Sequence, residues 1–234
     1  MKLSTVLYST LASVGVVLAA IMPAQAFSVN FGADSTSSNN PATGASASVD
    51  FNFSDVTGGV QLDLDIFNTT GDTSFGDNAT ASKLTGIGFN LAGGVTADAG
   101  SFTNTGFLDF LSLNDSLQPF GSFDVAVLDN NNFEGGNAND ALPEGQSTTA
   151  SLLLTTALGA SDVEQAFLNL FSDDSNFVAR FQQVDAGAGS DKLLGGTVNG
   201  GTVTPEPVPE PFTILGSMAA LGVGTVLKRK ANKA

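Results

Sequence analysis

Apolar and polar residues alternate strictly in two neighbouring stretches of the chain, residues 49–53 and 60–66. Such alternation places the apolar side chains on one face and the polar side chains on the other, which is typical of a half-buried β-strand. The connection between the two stretches is short and ends in Gly58-Gly59. We therefore expect these strands to form a hairpin.

Further strand-like patterns are separated by polar loops at residues 32–47, 68–80 and 130–145. Several short strands with turn signals between them are typical of an antiparallel β-sandwich or jelly roll. The sequence thus predicts an all-β domain at residues 27–204. The additional strands are predicted at residues 84–91, 108–113, 123–127, 151–156, 176–184 and 191–198.

One stretch has a helical pattern instead, because its apolar residues recur at intervals of three and four positions. We expect one short amphipathic helix there, with a capping box formed by Ser161 and Glu164. The apolar stripe consists of Val163, Ala166, Phe167, Leu170 and Phe171.

The N-terminal residues have the layout of a signal peptide. Lys2 is followed by an apolar stretch at residues 11–22 and by Ala24-Gln25-Ala26, a small-x-small cleavage site. We expect signal peptidase to remove residues 1–26 and to leave Phe27 as the first residue of the mature chain.

The C-terminal residues have three parts in a fixed order. Two Pro-Glu-Pro boxes occupy residues 205–211, and residues 212–227 form an uncharged apolar run. As a helix this run covers about 24 Å, against roughly 30 Å of bilayer hydrocarbon, so it predicts a short transmembrane helix. The basic residues that follow, Lys228, Arg229 and Lys230, predict a cytoplasmic tail at residues 228–234 and place the folded domain outside the inner membrane.

This order of elements resembles the PEP-CTERM sorting signal of exported bacterial proteins. The resemblance is carried by Val208, Pro209, Glu210 and Pro211, the short apolar helix, and the basic stop at Lys228, Arg229 and Lys230. It implies recognition by an exosortase, a membrane-embedded cysteine protease or transpeptidase that cuts near the box. Residues 177–192 also resemble, less specifically, a segment of PEP-CTERM protein bodies.

Composition excludes several kinds of chemistry. The chain has neither His nor Cys, which excludes a Ser-His-Asp triad, a thiol nucleophile and an ordinary zinc site. All 23 acidic residues lie between Asp34 and Glu210, where only three basic residues oppose them, so nucleic-acid binding is disfavoured. A glycoside hydrolase that uses only carboxylates, for example Asp63 and Asp65, stays an alternative.

Calcium is the candidate cofactor, because Ca²⁺ prefers oxygen ligands. Asp129 and Asn131 begin a stretch that resembles an EF-hand loop, but Glu134 stands where that loop requires Gly. Asp173 and Asp174 form a second oxygen-rich cluster. The few basic residues of the domain, among them Arg180 and Lys192, are expected to form ion pairs on polar strand faces, with Asp191 beside Lys192.

Together these features predict an exported protein that is not an enzyme and has a structural or adhesive role in the envelope, extracellular matrix or biofilm. It would be anchored in the inner membrane first and reach the cell surface or the exterior after processing. The alternative is a carbohydrate- or calcium-binding module with an extracellular polysaccharide as partner, although the domain lacks the Trp and Tyr that usually stack on sugars.

Overall fold

The computed structural model describes residues 25–135 and 138–200, which form two antiparallel β-sheets and one short α-helix. The mostly β architecture predicted from the sequence is therefore confirmed. The strands are β1 (Gln25–Phe31), β2 (Thr36–Ser37), β3 (Ala47–Val56), β4 (Gly59–Asn68), β5 (Lys83–Phe89), β6 (Thr96–Asn104), β7 (Phe110–Leu117), β8 (Gly121–Leu128), β9 (Leu142–Pro143), β10 (Ser147–Thr155), β11 (Phe177–Gln182), β12 (Ser190–Leu194) and β13 (Thr197–Gly200), and the helix is α1 (Ala160–Phe171).

The first sheet has the strand order β13-β1-β3-β4-β10-β6. Its centre is the predicted hairpin, in which β3 and β4 pair from Ala47↔Asn68 to Val56↔Gly59. The alternation also holds: Phe51, Phe53 and Leu64 are buried, whereas the polar residues between them are only half-buried. One face of this sheet therefore forms core and the other faces solvent.

The second sheet has the order β2-β12-β11-β5-β8-β7, and β9 pairs with the start of β5. Its central strands are buried on both faces: every residue of β11 except Gln182 is buried, and so is every residue of β5 except Lys83. The face of the second sheet that no helix or other sheet covers must then be covered by a loop.

Helix α1 contributes to a core shared by both sheets. Phe171 contacts Phe51 of β3 at a ring-centroid distance of 5.4 Å and Phe177 of β11 at 5.0 Å. Phe51 also contacts Phe89 of β5 directly, at 5.3 Å. Aromatic pairs at these distances add to the free energy gained by burying their area.

The predicted capping box is wrong. The residue that precedes the first turn is Gly159, so Ser161 lies inside the helix rather than at its N-cap. The free N–H of Ala160 donates instead to Asp55 Oδ1 of β3, at 2.8 Å. A carboxylate from a neighbouring strand thus takes the part that a local Ser side chain was expected to play.

The predicted single strand at residues 191–198 is also wrong. Gly195 and Gly196, both with positive φ, interrupt it and carry the chain from β12 in the second sheet to β13 in the first. A Cβ at Gly196 would lie 2.2 Å from Asn30 O, so only glycine fits this crossing.

Candidate functional site

The two ends of the described domain lie side by side. β1 and β13 pair antiparallel, and Phe27 is opposite Gly200. The segment that precedes Phe27 and the segment that follows Gly200 therefore leave the domain at the same end of the first sheet.

Most residues of the predicted processing signals lie outside the described residues. Within the described part of the chain no helix is long and apolar enough to cross a membrane, and the predicted span at residues 212–227 falls beyond it. Ala26 is described: it belongs to β1 and pairs with Asn52 of β3. Also outside the described residues are Ala24, Val208, Pro209, Glu210, Pro211, Lys228, Arg229 and Lys230.

The predicted calcium ligands do not come together. The N–H of Asp129 donates to Thr85 O near the start of β5, whereas Asp173 and Asp174 precede β11, whose first residue pairs with Phe89 at the end of β5. Four residues of strand separate the two places, about 13 Å. Asn131, Asp173 and Asp174 are exposed, and Asp173 accepts the N–H of Ser175, which lowers its pKa.

No group of three or more acidic side chains in residues 25–135 and 138–200 has the arrangement of a metal site. Asp129 nevertheless differs from a solvated loop residue. It is 6% exposed, its Oδ1 accepts from Asn130 Nδ2 at 2.6 Å, and its Oδ2 has no hydrogen-bond partner. Burial raises the pKa of Asp129 to about 6, although the positive charge of Arg180 acts in the opposite direction.

Arg180 was expected to form an ion pair on a polar strand face, but its side chain is buried. Its guanidinium donates to Thr85 Oγ1 at 3.3 Å and to the carbonyl oxygen of Glu134 at 3.0 Å. Lys192, directly opposite on β12, forms its ion pair with Glu134 at 2.9 Å and not with the adjacent Asp191. Burial raises the pKa of Glu134, but the Gln118 N–H and Lys192 outweigh this effect, so that pKa lies below its usual value.

Glu134 thus fastens the loop after β8 to the outward face of the second sheet. The same loop places Phe133, 1% exposed, against Gly86 and Gly88 of β5. Residues 130–145 were predicted to form a polar surface loop, but Phe133 in this loop is buried against the second sheet. The Gly-x-Gly spacing in β5 was the signal that could have shown it, because glycine inside a strand often marks a close approach.

Asp191 forms a second buried polar centre. It is 1% exposed, and its Oδ2 accepts the backbone N–H and the hydroxyl group of Thr43, each at 2.9 Å. Its Oδ1 accepts from Ser37 and Ser38, at 2.7 and 3.3 Å. These hydrogen bonds fix the segment after β2 to β12. Both carboxylate oxygens of Asp191 are therefore hydrogen-bonded, and the residue has a structural role.

The outward face of the first sheet carries the acidic residues that were weighed for glycoside hydrolysis. Asp63 and Asp65 lie on this face and are half-buried. Asp65 stands directly opposite Asp50, and Asn52 Nδ2 donates to Asp65 at 3.2 Å. Asp63 accepts the hydroxyl group of Ser151. The depression nearest to Asp65 is shallow, so the face offers no cleft that would enclose a sugar ring.

No protein-family model matches the chain, and neither a curated protein nor a solved structure matches it.

Proposed function

We propose that this chain is an exported bacterial surface or matrix protein whose C-terminal PEP-CTERM signal is processed by an exosortase, and that it is not an enzyme. The observation that carries the proposal is the order of Val208 to Pro211, the apolar run and the basic stop. The body between the two signals would be a β-sandwich, in which the first and second sheets enclose the phenylalanine core.

The geometry of the domain supports this proposal at one point. Since Phe27 and Gly200 are paired neighbours, the signal peptide and the sorting signal attach to the same end of the domain. A domain tethered in this way hangs from the membrane by one end and leaves the far end and the solvent-facing side of the first sheet free for contact with other molecules. In the sequence, only the four residues 201–204 separate β13 from the first Pro-Glu-Pro box.

A structural or adhesive role agrees with the chemistry of the described surface. Phe67 and Phe110 are the most exposed phenylalanines of the described residues, at 38% and 39%. All the other described phenylalanines are buried or half-buried, so the surface offers few rings for stacking on a sugar. Acidic surfaces of this kind remain soluble and are neutralised by divalent cations outside the cell.

The sorting step can be tested with the two copies of the box. In a host that carries an exosortase, the wild-type protein should lose all residues beyond the box and leave the inner-membrane fraction. Glu210→Gln should keep its C-terminus at Ala234 and stay in the membrane. Glu206→Gln changes the same residue type in the upstream copy and is the matched control, which should be processed normally.

Mass spectrometry of both ends of the purified protein reads the result. An intact wild-type C-terminus in that host would overturn the sorting proposal. Processing that depends on Glu206 rather than on Glu210 would instead show that the upstream box is recognised.

A further inference from the structure

Glu164 of helix α1 is a buried carboxylate without a cation. It is 4% exposed, and its Oε1 has no hydrogen-bond partner. It does not cap its own helix, whose first N–H donates to Asp55. A buried carboxylate oxygen that lacks a donor is costly, so the place of Glu164 against β1 calls for a ligand.

The carboxylate of Glu164 faces the start of β1. The backbone N–H of Ala26 donates to it, and burial raises the pKa of Glu164 despite this hydrogen bond. The helix is held in place there by Phe171, whose ring lies 5.8 Å from that of Phe27. None of the described basic residues acts on the pKa of Glu164; they lie on strands of the second sheet, Lys83 on β5, Arg180 on β11 and Lys192 on β12.

We propose that Glu164 binds the α-ammonium group of Phe27 that forms when signal peptidase cuts after Ala26. This inference rests on the processing proposed above. Hydrolysis adds water across the Ala26–Phe27 amide bond: the carbonyl carbon of Ala26 becomes a carboxylate, and the nitrogen of Phe27 becomes an amine that is protonated at neutral pH. The cut thus creates a cation one residue from the nitrogen that Glu164 already contacts.

The distances favour this exchange of partners. Successive residues of an extended strand are about 3.3 Å apart, which is within reach of a small rotation of the Glu164 side chain. The cut also removes the Ala26 N–H, so the carboxylate would otherwise lose its remaining donor. An ammonium group offers three donors, enough to satisfy both carboxylate oxygens in a charge-assisted pair. The domain would therefore complete its polar core only after it has been processed.

The experiment uses the processed protein purified from an exporting host, as wild type, Glu164→Gln and Asp162→Asn. Asp162 is an exposed acid on the same helix and serves as the matched control. Competitive labelling of amines across pH, read on the Asp-N peptide of residues 27–33, gives the pKa of the α-amine. An ordinary α-amine has a pKa of about 7.7–8.0. We expect a value at least one pH unit higher in wild type and Asp162→Asn, and thus roughly fivefold or more slower labelling at pH 8 than in Glu164→Gln.

N-terminal sequencing of the same samples separates the two proposals. A chain that starts at Phe27 and labels equally fast in wild type and Glu164→Gln overturns the pairing alone. A chain that starts at another residue overturns the pairing together with the proposed cleavage position, whereas C-terminal sorting is read independently at the other end. If Glu164→Gln does not accumulate, wild type is compared with its urea-unfolded form, and an α-amine pKa equal in both overturns the pairing.

Discussion

The outward faces of the two sheets differ in their exposure to solvent. The first sheet leaves its outward face to solvent and lines it with polar side chains such as Asp50, Asn52 and Asp65. The second sheet buries its outward face under the loop after β8, where Phe133 packs with Val178 and Leu128. One domain therefore contains a one-sided sheet, which is buried on one face only, and a two-sided sheet, which is buried on both faces.

This difference determines the surroundings of the charged side chains on each outward face. On the first sheet the acids keep contact with water. On the second sheet Arg180 and Asp129, 7% and 6% exposed, are enclosed by the loop. A charge enclosed in this way needs fixed partners, because water no longer screens it. We expect mutations of the enclosed groups to have large effects and those of the solvated acids to have small ones.

The largest effect is expected for Phe133→Ala. Removing a buried ring should lower the free energy of unfolding by about 3–5 kcal/mol, because buried apolar area is lost and a cavity is left behind. Phe67→Ala, which truncates a 38% exposed ring on the first sheet, is the matched control and should change it by less than about 1 kcal/mol. Urea unfolding measures both.

Equal effects of the two substitutions would show that the loop does not cover the second sheet. Gly88→Ala checks the same contact from the other side, because its Cβ would lie 2.7 Å from Phe133 Cε1. If the Phe133 ring packs against Gly88, Gly88→Ala should lower the free energy of unfolding as well.

The one-sided sheet could be predicted from the sequence, and the two-sided sheet only in part. Strict alternation identified β3 and β4 with their hairpin, because a solvated face demands polar residues at every second position. The edge strand β6 (Thr96–Asn104) was missed, since its small, polar and mostly exposed residues show no regular alternation. Its pairing is imposed by the neighbouring β10, not by a pattern of its own.

The buried polar groups were missed for a different reason. Asp191, Glu164 and Arg180 are surrounded by residues distant in sequence, such as Thr43 for Asp191 and Glu134 for Arg180. A local pattern cannot show such partners, so Arg180 was expected only to form an ion pair on a polar strand face. Of the proposed calcium ligands, Asp129 alone is buried, and its position depends on the loop that the sequence did not predict to pack.

An effect of intermediate size on the free energy of unfolding, which depends on pH, is expected for Asp129→Asn. The pKa of Asp129 is raised to about 6 in the folded protein, from 3.8 as a free group, so the folded state binds the extra proton between these values. The contribution of Asp129 to stability is therefore full below pH 4 and is lost as pH rises through about 6. Asp129→Asn, which cannot ionise, should be more stable than wild type by about 1–3 kcal/mol at pH 7 and equal to it near pH 4.

Urea unfolding between pH 4 and 8 with a chelator present measures this difference, and Asp72→Asn in an exposed loop is the control. Parallel curves for wild type and Asp129→Asn would contradict the enclosed charge. Repeating the series with calcium tests the predicted site, because a bound Ca²⁺ would stabilise wild type selectively and reverse the sign at pH 7.

The smallest effect is expected for Asp65→Asn on the solvated face. Asp65 stands opposite Asp50, and like charges directly opposed across two strands destabilise the pair by roughly 0.2–1 kcal/mol. The substitution removes the repulsion and keeps an oxygen that can accept from Asn52 Nδ2, so it should stabilise the protein by that amount. Because water and ions reach this face, the gain should shrink as salt rises from about 0.02 M to 1 M, over which the Debye length falls from roughly 20 Å to 3 Å. A gain that is large and independent of salt would mean that this face is enclosed like the other one, and the contrast between the two sheets would fail.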